Sequence, residues 1–149
     1  MGKLTTIVEI EASPEKVFAF ILDHKKMNEI YPKGGPIGER TSKGPVGVGS
    51  TSHWVSPMMG GNKMEFDMVC TEFVENKKMV SKTMGGSKFN MTGSYDLEPI
   101  AKGTKLTQTM DYEVPYSILG KLIDKLKFGK ELKKGSVEAM ENMKKALEA

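Results

Sequence analysis

The chain predicts an α+β domain: a curved antiparallel sheet of six to seven strands wrapped around a long C-terminal helix, with two short helices after strand 1. Three observations carry this. Apolar and polar residues alternate in several short runs separated by Gly- and Pro-containing turns. Two short helical segments follow the first run, opened by Ser13-Pro14 and stopped by Pro32. From Pro115 onward the apolar period changes from two residues to about 3.6.

Strand 1 is "KLTTIVEIEA", with Leu4, Thr6, Val8 and Ile10 on one face and charged residues on the other. In "SPEKVFAFILD" Ser13 suits an N-cap, Pro14 the first helical position, and Glu15 the positive helix end. Val17, Phe18, Ile21 and Leu22 form its apolar face. Asp23-His24 breaks that helix and "KKMNEIYP" makes the second. "KGGPIGERTSKGPVGVGS" is a loop with one short strand around Ile37 to Thr41. Strands follow at "VGVGSTSHWVS", "NKMEFDMVCTEFV", "NKKMVSKTM", "SKFNMTGSYDLEPI" and "AKGTKLTQTMDYEV". In the last helix Leu119, Leu122, Leu126, Leu132, Met140, Met143 and Leu147 recur on one face, with small Gly129 and Ser136 in the series and a kink expected near Gly135.

Short connections make consecutive strands antiparallel neighbours, so the sheet has one apolar and one polar face. Only the long helix has enough apolar surface to cover it. A bent sheet gripping a helix does not close completely, so a cavity is expected between them. The residues facing it are soft: methionine numbers twelve, and in "NKMEFDMVC" Met64, Phe66, Met68 and Cys70 take every second position. Methionine fills irregular space and tolerates varied partners.

The 149 residues correspond to one domain spanning 1–149. Hydrophobic residues at 38% and charged residues at 28% suit a globular protein, and no apolar run reaches membrane-span length. Thr6 completes a myristoylation-like pattern after Gly2, but it equally fits strand 1, which is the preferred reading. A net charge of +3 and 7% aromatic residues give no footprint for nucleic acid. The single cysteine leaves no internal disulfide and no cysteine-based metal site, and a reducing cytoplasm is the expected location. Two distant histidines among scattered carboxylates match no metal-ligand spacing, the glycine-rich stretches lack the GK[ST] of a phosphate loop, and no cofactor is expected.

Catalytic candidates are few. His24 reads as a solvated or capping residue. Pairing Trp54 with Met64 through "PMMGG" sets Ser52 opposite Phe66, Val48 opposite Cys70, and His53 opposite Glu65 on the outer face. Cys70 then lies about 17 Å along the strands from His53, which removes a Cys–His dyad; a slip by one residue would turn His53 inward. Pairing Leu97 with Leu106 sets Tyr95 opposite Gln108, Gly93 opposite Met110 and Met91 opposite Tyr112. Gln108 on this apolar face must bond either Tyr95 or a ligand. Gly93 leaves a gap for a helix or ligand. Gly129 and Ser136 leave room above the sheet or permit close packing. Around Gly85-Gly86 the preferred register turns Met79, Ser81 and Thr83 inward, because the alternative would bury Lys82 alone. Lys121, Lys125, Lys127, Lys130, Lys133 and Lys134 make one helix face basic; the solvated back of a core helix is preferred to docking on anionic lipid.

In order along the chain, "VEIEASPEKVFAFILD", "VGVGS", "MEFDMVCTEFVENKKMV", "GSYDLEP...KGTKLT" and "VEAMENMKKALE" resemble the START-like helix-grip (SRPBCC) superfamily, and within it the polyketide cyclase/dehydrase and lipid-transport branch that includes proteins like the G-subunit of carbon monoxide dehydrogenase. Tyr31 before Pro32 departs from the tryptophan common there. The resemblance implies a helix-grip fold and a pocket for a small hydrophobic or lipid-like ligand, not one reaction. Whether the chain is an enzyme stays open. The expected pocket residues are Trp54, Met64, Phe66, Met68, Met91, Tyr95, Gln108, Met110, Tyr112 and Gly129. The alternatives are a cyclase/dehydrase-type enzyme using Tyr95, Tyr112 or Gln108 to orient an aromatic or polyketide-like substrate, and an Hsp90-activator-like interaction module with a vestigial pocket.

Overall fold

A computed structural model describes residues 2–31, 35–57, 63–85, 89–113 and 122–149, with the backbone alone for 122–125. Pro32, residues 58–61 of the "PMMGG" turn, Gly86 and the 115–121 start of the helical period lie outside these residues. The elements are β1 (Gly2–Ile10), α1 (Pro14–Leu22), α2 (His24–Ile30), β2 (Ile37–Arg40), β3 (Thr51–Pro57), β4 (Lys63–Val74), β5 (Lys78–Thr83), β6 (Met91–Ile100), β7 (Gly103–Tyr112) and α3 (Leu122–Glu148). This is the helix-grip architecture: seven antiparallel strands in the order β1-β7-β6-β5-β4-β3-β2, wrapped around α3.

Local chemistry accounts for the elements. Ser13 caps α1, its hydroxyl accepting from the Lys16 amide, and Pro14 stands in the first turn, where a missing N–H costs nothing. Asp23 ends α1 and caps α2, accepting from the Lys26 amide at 3.2 Å. Asn76 takes a positive φ of 63° in the tight β4–β5 hairpin, a conformation Asn tolerates. β1 alternates as its sequence demands, with Leu4, Thr6, Val8 and Ile10 buried.

Most register expectations hold. β6 and β7 pair with Leu97 opposite Leu106, Tyr95 opposite Gln108, Gly93 opposite Met110 and Met91 opposite Tyr112. β5 pairs with β6 through Met79–Tyr95 and Ser81–Gly93, and Lys82 is exposed. The β3–β4 pairing differs by two residues: Trp54 faces Phe66, Ser52 faces Met68, and His53 faces Asp67. Pro57 pairs with Lys63, so five residues connect the strands rather than three. A shift of two preserves the faces, and His53 stays outside. β3 also begins later than expected. Val48 is 71% exposed in a turn, and Ser50 takes the place beside Cys70, its carbonyl accepting from the Cys70 amide at 2.8 Å.

The helix is unbroken through Gly135, and its buried face keeps Ser136, Met140 and Met143 of the expected series but departs from it at position 126. Leu126 is 58% exposed, whereas Phe128 is buried. Position 126 lies six residues from Leu132, about 240° around the helix, while 128 lies one turn away. The buried seam runs Phe128, Ser136, Ala139, Met140, Met143.

Two apolar clusters result. One joins Val8, Ile10, Leu97 and Leu106 to α1, α2 and the C-terminal half of α3. The other joins Leu4, Phe66, Met68 and Tyr112 to Phe89 and Phe128. The cavity opens beside the second.

Candidate functional site

Between the inner face of the sheet, α2 and α3 lies a cavity of about 640 Å³. Ligand pockets typically hold about 300–1,000 Å³. Eight of the ten expected positions line it. Trp54, Met64, Phe66 and Met68 come from β3 and β4, and Met91, Tyr95, Gln108 and Met110 from β6 and β7. Tyr112 and Gly129 do not. They line an open cleft on the other side of α3, together with Lys3, Lys130 and Lys133. A Cβ at Gly129 would fall 2.8 Å from the Tyr112 hydroxyl, so this glycine serves close packing. The Tyr112 ring stacks obliquely on Phe128 at 5.7 Å, and Phe89 bridges Phe128 to Phe66 at 6.1 and 5.6 Å. This aromatic row stands between the cavity and the cleft.

Glycine shapes the cavity at two points. A Cβ on Gly93 would meet nothing within 4 Å, so the gap is real space on the inner side of β6. A Cβ on Gly38 would lie 2.6 Å from the Trp54 indole, which therefore lies flat over β2. The Asn28 amide fastens α2 to the same point, donating to the Gly38 carbonyl at 2.9 Å and accepting from its N–H at 2.8 Å. The Trp54 Nε1–H donates to Ser52 at 3.0 Å.

A polar chain crosses the apolar floor. The Lys133 ammonium can only donate, and it reaches the Thr5 carbonyl and, at 3.3 Å, the Thr6 hydroxyl. Thr6 and Ser136 hydroxyls lie 2.8 Å apart, and Ser136 donates to Gln108 Oε1 at 2.5 Å. Gln108 Nε2 then donates to the Tyr95 hydroxyl at 3.2 Å. Gln108 Oε1 can only accept and takes the one Ser136 proton, so Thr6 donates to Ser136 while accepting from Lys133. Gln108 thus bonds Tyr95, one of its two expected partners, and gains a second partner in Ser136. Burial pushes the Tyr95 phenol well above its ordinary value, and the neighbouring Tyr31 raises it further. Burial likewise raises Tyr31, against a lowering by Tyr95. Neither phenol is an anionic base near neutrality.

Sequence reasoning missed the wall made by α2 and β2. His24 is not a solvated cap: it is half-buried, lines the cavity, and sits with its ring centroid 5.8 Å from that of Trp54. Burial and the nearby Arg40 charge push its pKa down. Arg40 also lines the cavity, and its Nε and Nη2 are sealed from solvent without a hydrogen-bond partner among the described residues. An unpaired buried donor costs about 1–3 kcal/mol, and more when charged. The available signal was the alternation of β2: Gly38 and Arg40 share one face, opposite inward Trp54 and Ser52.

The other reactive groups are apart. His53 lies on the outer face between Asp67 and Glu65, at 2.8 and 3.2 Å, and these bonds raise its pKa. Cys70 is buried, its thiol donates to the Glu72 carbonyl at 3.4 Å, and burial raises its pKa. Three residues of strand, about 10 Å, separate it from the point opposite His53, and the two face opposite ways. No metal-holding cluster of His, Cys, Asp or Glu occurs among the described residues.

The fold and its internal cavity define a hydrophobic-ligand-binding class of domain. The chain belongs to the family described as polyketide cyclase / dehydrase and lipid transport, whose profile matches residues 1–148. Solved structures share the fold. TTHA0849 from Thermus thermophilus is 20% identical at a TM-score of 0.77, over 98% of this chain and 97% of that one. KanY protein is 17% identical at a TM-score of 0.74, over the full length of both chains. The di-domain ARO/CYC StfQ from the steffimycin biosynthetic pathway is 15% identical at 0.74, over 98% of this chain and 50% of that one. No match was found among curated proteins.

Proposed function

We propose that this protein binds, and can carry, a small hydrophobic or lipid-like ligand held between the sheet and α3. The carrying observation is the cavity of about 640 Å³ with methionines and aromatic rings on its walls, opened further by a glycine whose missing side chain faces empty space. A vestigial pocket, as the interaction-module reading requires, fits such a void poorly. Catalysis by orientation is the second reading, favoured by one observation: the Lys133-to-Tyr95 chain ends on a phenol that lines the cavity. Kinship with the G-subunit of carbon monoxide dehydrogenase rests on sequence motifs alone, and a cytoplasmic setting on the single free thiol.

The test is uptake of Nile red, together with native mass spectrometry of gently purified protein. The expected outcome is fluorescence enhancement and a co-purified apolar molecule. Gly93→Leu projects a side chain into the void and should abolish uptake while leaving the melting temperature within a few degrees. Met110→Trp should do the same. Undiminished uptake in both variants contradicts the cavity assignment. The enzyme reading expects turnover of a cyclisable poly-β-ketone that falls on Tyr95→Phe.

A further inference from the structure

We infer that the ligand is an apolar acid, a carboxylate on a hydrophobic body, whose head group is held by Arg40 at the α2–β2 wall. This rests on the cavity reading and specifies its ligand.

Arg40 ends β2 on the inward face, opposite Ser52, and lines the cavity together with His24 and Trp54. Its two unpartnered atoms, Nε and Nη2, carry parallel N–H groups on one edge of the guanidinium. That edge spans the two oxygens of a single carboxylate, the bidentate arrangement that makes arginine selective for planar anions. The edge is covered here, so two donors of a cation are excluded from water without a partner. The same side chain lines the cavity, which offers space for a partner. Rotation about the outer torsions of the arginine turns the edge toward that space.

No protein anion competes for it among the described residues. Glu39 points outward, opposite His53. Glu131 and Glu138 of α3 touch the cavity but are exposed at its rim beside Lys127 and Lys134, and none of the ion pairs among the described residues involves Arg40. His24 is kept uncharged by its burial and by Arg40, so it adds a polar wall without a second charge. Away from this wall the body of the lining is methionine and phenylalanine, interrupted by serine hydroxyls and by the Gln108–Tyr95 end of the polar chain, with Lys127 and Lys134 at the exposed rim. The cavity is thus polarised: a covered guanidinium at the α2–β2 wall, and a mainly methionine and phenylalanine surface beyond it.

The experiment compares acids with neutral analogues of the same shape by calorimetry: decanoate against decanol, and naphthoate against naphthalenemethanol. The expected result is at least tenfold tighter binding of the acid in one or both pairs. The better pair tells an alkyl source from an aryl one. Arg40→Gln should abolish the acid preference, so that acid and alcohol bind with similar affinity, while Arg40→Lys restores part of it. In the absence of added acid, Arg40→Gln should melt no lower than the parent, because it removes an unpaired charge. Equal affinity for acid and alcohol in the parent overturns this inference and leaves the cavity reading standing. A marked fall in melting temperature in Arg40→Gln, with acid preference intact in Arg40→Lys and Arg40→Gln alike, overturns it as well. Binding of neither acid nor alcohol overturns both readings.

Discussion

The two ends of the sheet meet the same helix in different ways. At one end Ile10, Val17, Phe18, Leu106, Met140 and Met143 are each at most 2% exposed and form one cluster. At the other, Met64, Met91, Met110 and Leu132 are only partly buried around Phe66, Phe89 and Phe128, and the cavity lies among them. Both ends use methionine, so methionine by itself does not mark a binding site. The difference lies in its companions. Branched aliphatics and α1 close the first end, while glycine, serine and a two-layer reach from sheet to helix keep the second open. One sequence thus separates a folding core from a container, and α3 belongs to both.

The largest expected effect comes from breaking the closed end. Leu106 is fully buried, so Leu106→Ala should cost about 2–5 kcal/mol, the transfer term plus an unrelieved void. Met110→Ala, at the open end, removes a side chain that already borders empty space and should cost about 1 kcal/mol. Urea titration of both variants measures the contrast. Equal costs would mean that the open end is packed as tightly as the closed one.

The closed end and the sheet are the legible parts of this sequence. Period-two runs such as Leu4-Thr6-Val8-Ile10 and the β6–β7 register follow from alternation and short turns, which are local. The β3–β4 register departs by two from expectation because connection length is not encoded in alternation. Eight cavity positions are readable because inward-facing methionines and aromatics on neighbouring strands must share a surface. Tyr112 falls outside the cavity because Phe128, buried in place of the expected Leu126, packs on its ring and lines the cavity. Arg40 is readable as a cavity residue only through the alternation of β2, and His24 has no such signal. Their position depends on Asn28 joining α2 to β2 across a glycine-rich loop, a contact with no periodic signature.

A middle-sized effect should come from the polar chain that crosses between the ends. Ser136 is buried and contacts both Thr6 and Gln108. Ser136→Ala strands the Gln108 carbonyl and the Thr6 hydroxyl, at a cost of about 1–3 kcal/mol. The same variant frees the Gln108 amide to reorient, so the Tyr95 phenol loses its fixed partner. If the chain organises the cavity, probe affinity falls together with stability. If affinity is unchanged, the chain serves only to seal the floor.

The smallest effect separates the cavity wall from the outer face through their histidines. His24 is lowered from 6.5, first by burial and then by Arg40. The folded state therefore takes up its proton less readily than the unfolded chain, so its contribution is present above pH 6.5 and is lost as pH falls through the folded value. His53 is raised from 6.5, first by its bond to Asp67 and then by Glu65. Its contribution is complete below pH 6.5 and disappears as pH rises through the folded value. Because His53 is exposed, salt screens its part. A proton NMR titration should place the two imidazoles on opposite sides of 6.5. His24→Gln should flatten the acid-side loss of stability, and Asp67→Asn should bring His53 back toward 6.5 without moving His24. Coincident titration of the two would mean that the α2–β2 wall is as wet as the outer face, and that Arg40 exerts no charge on its neighbour.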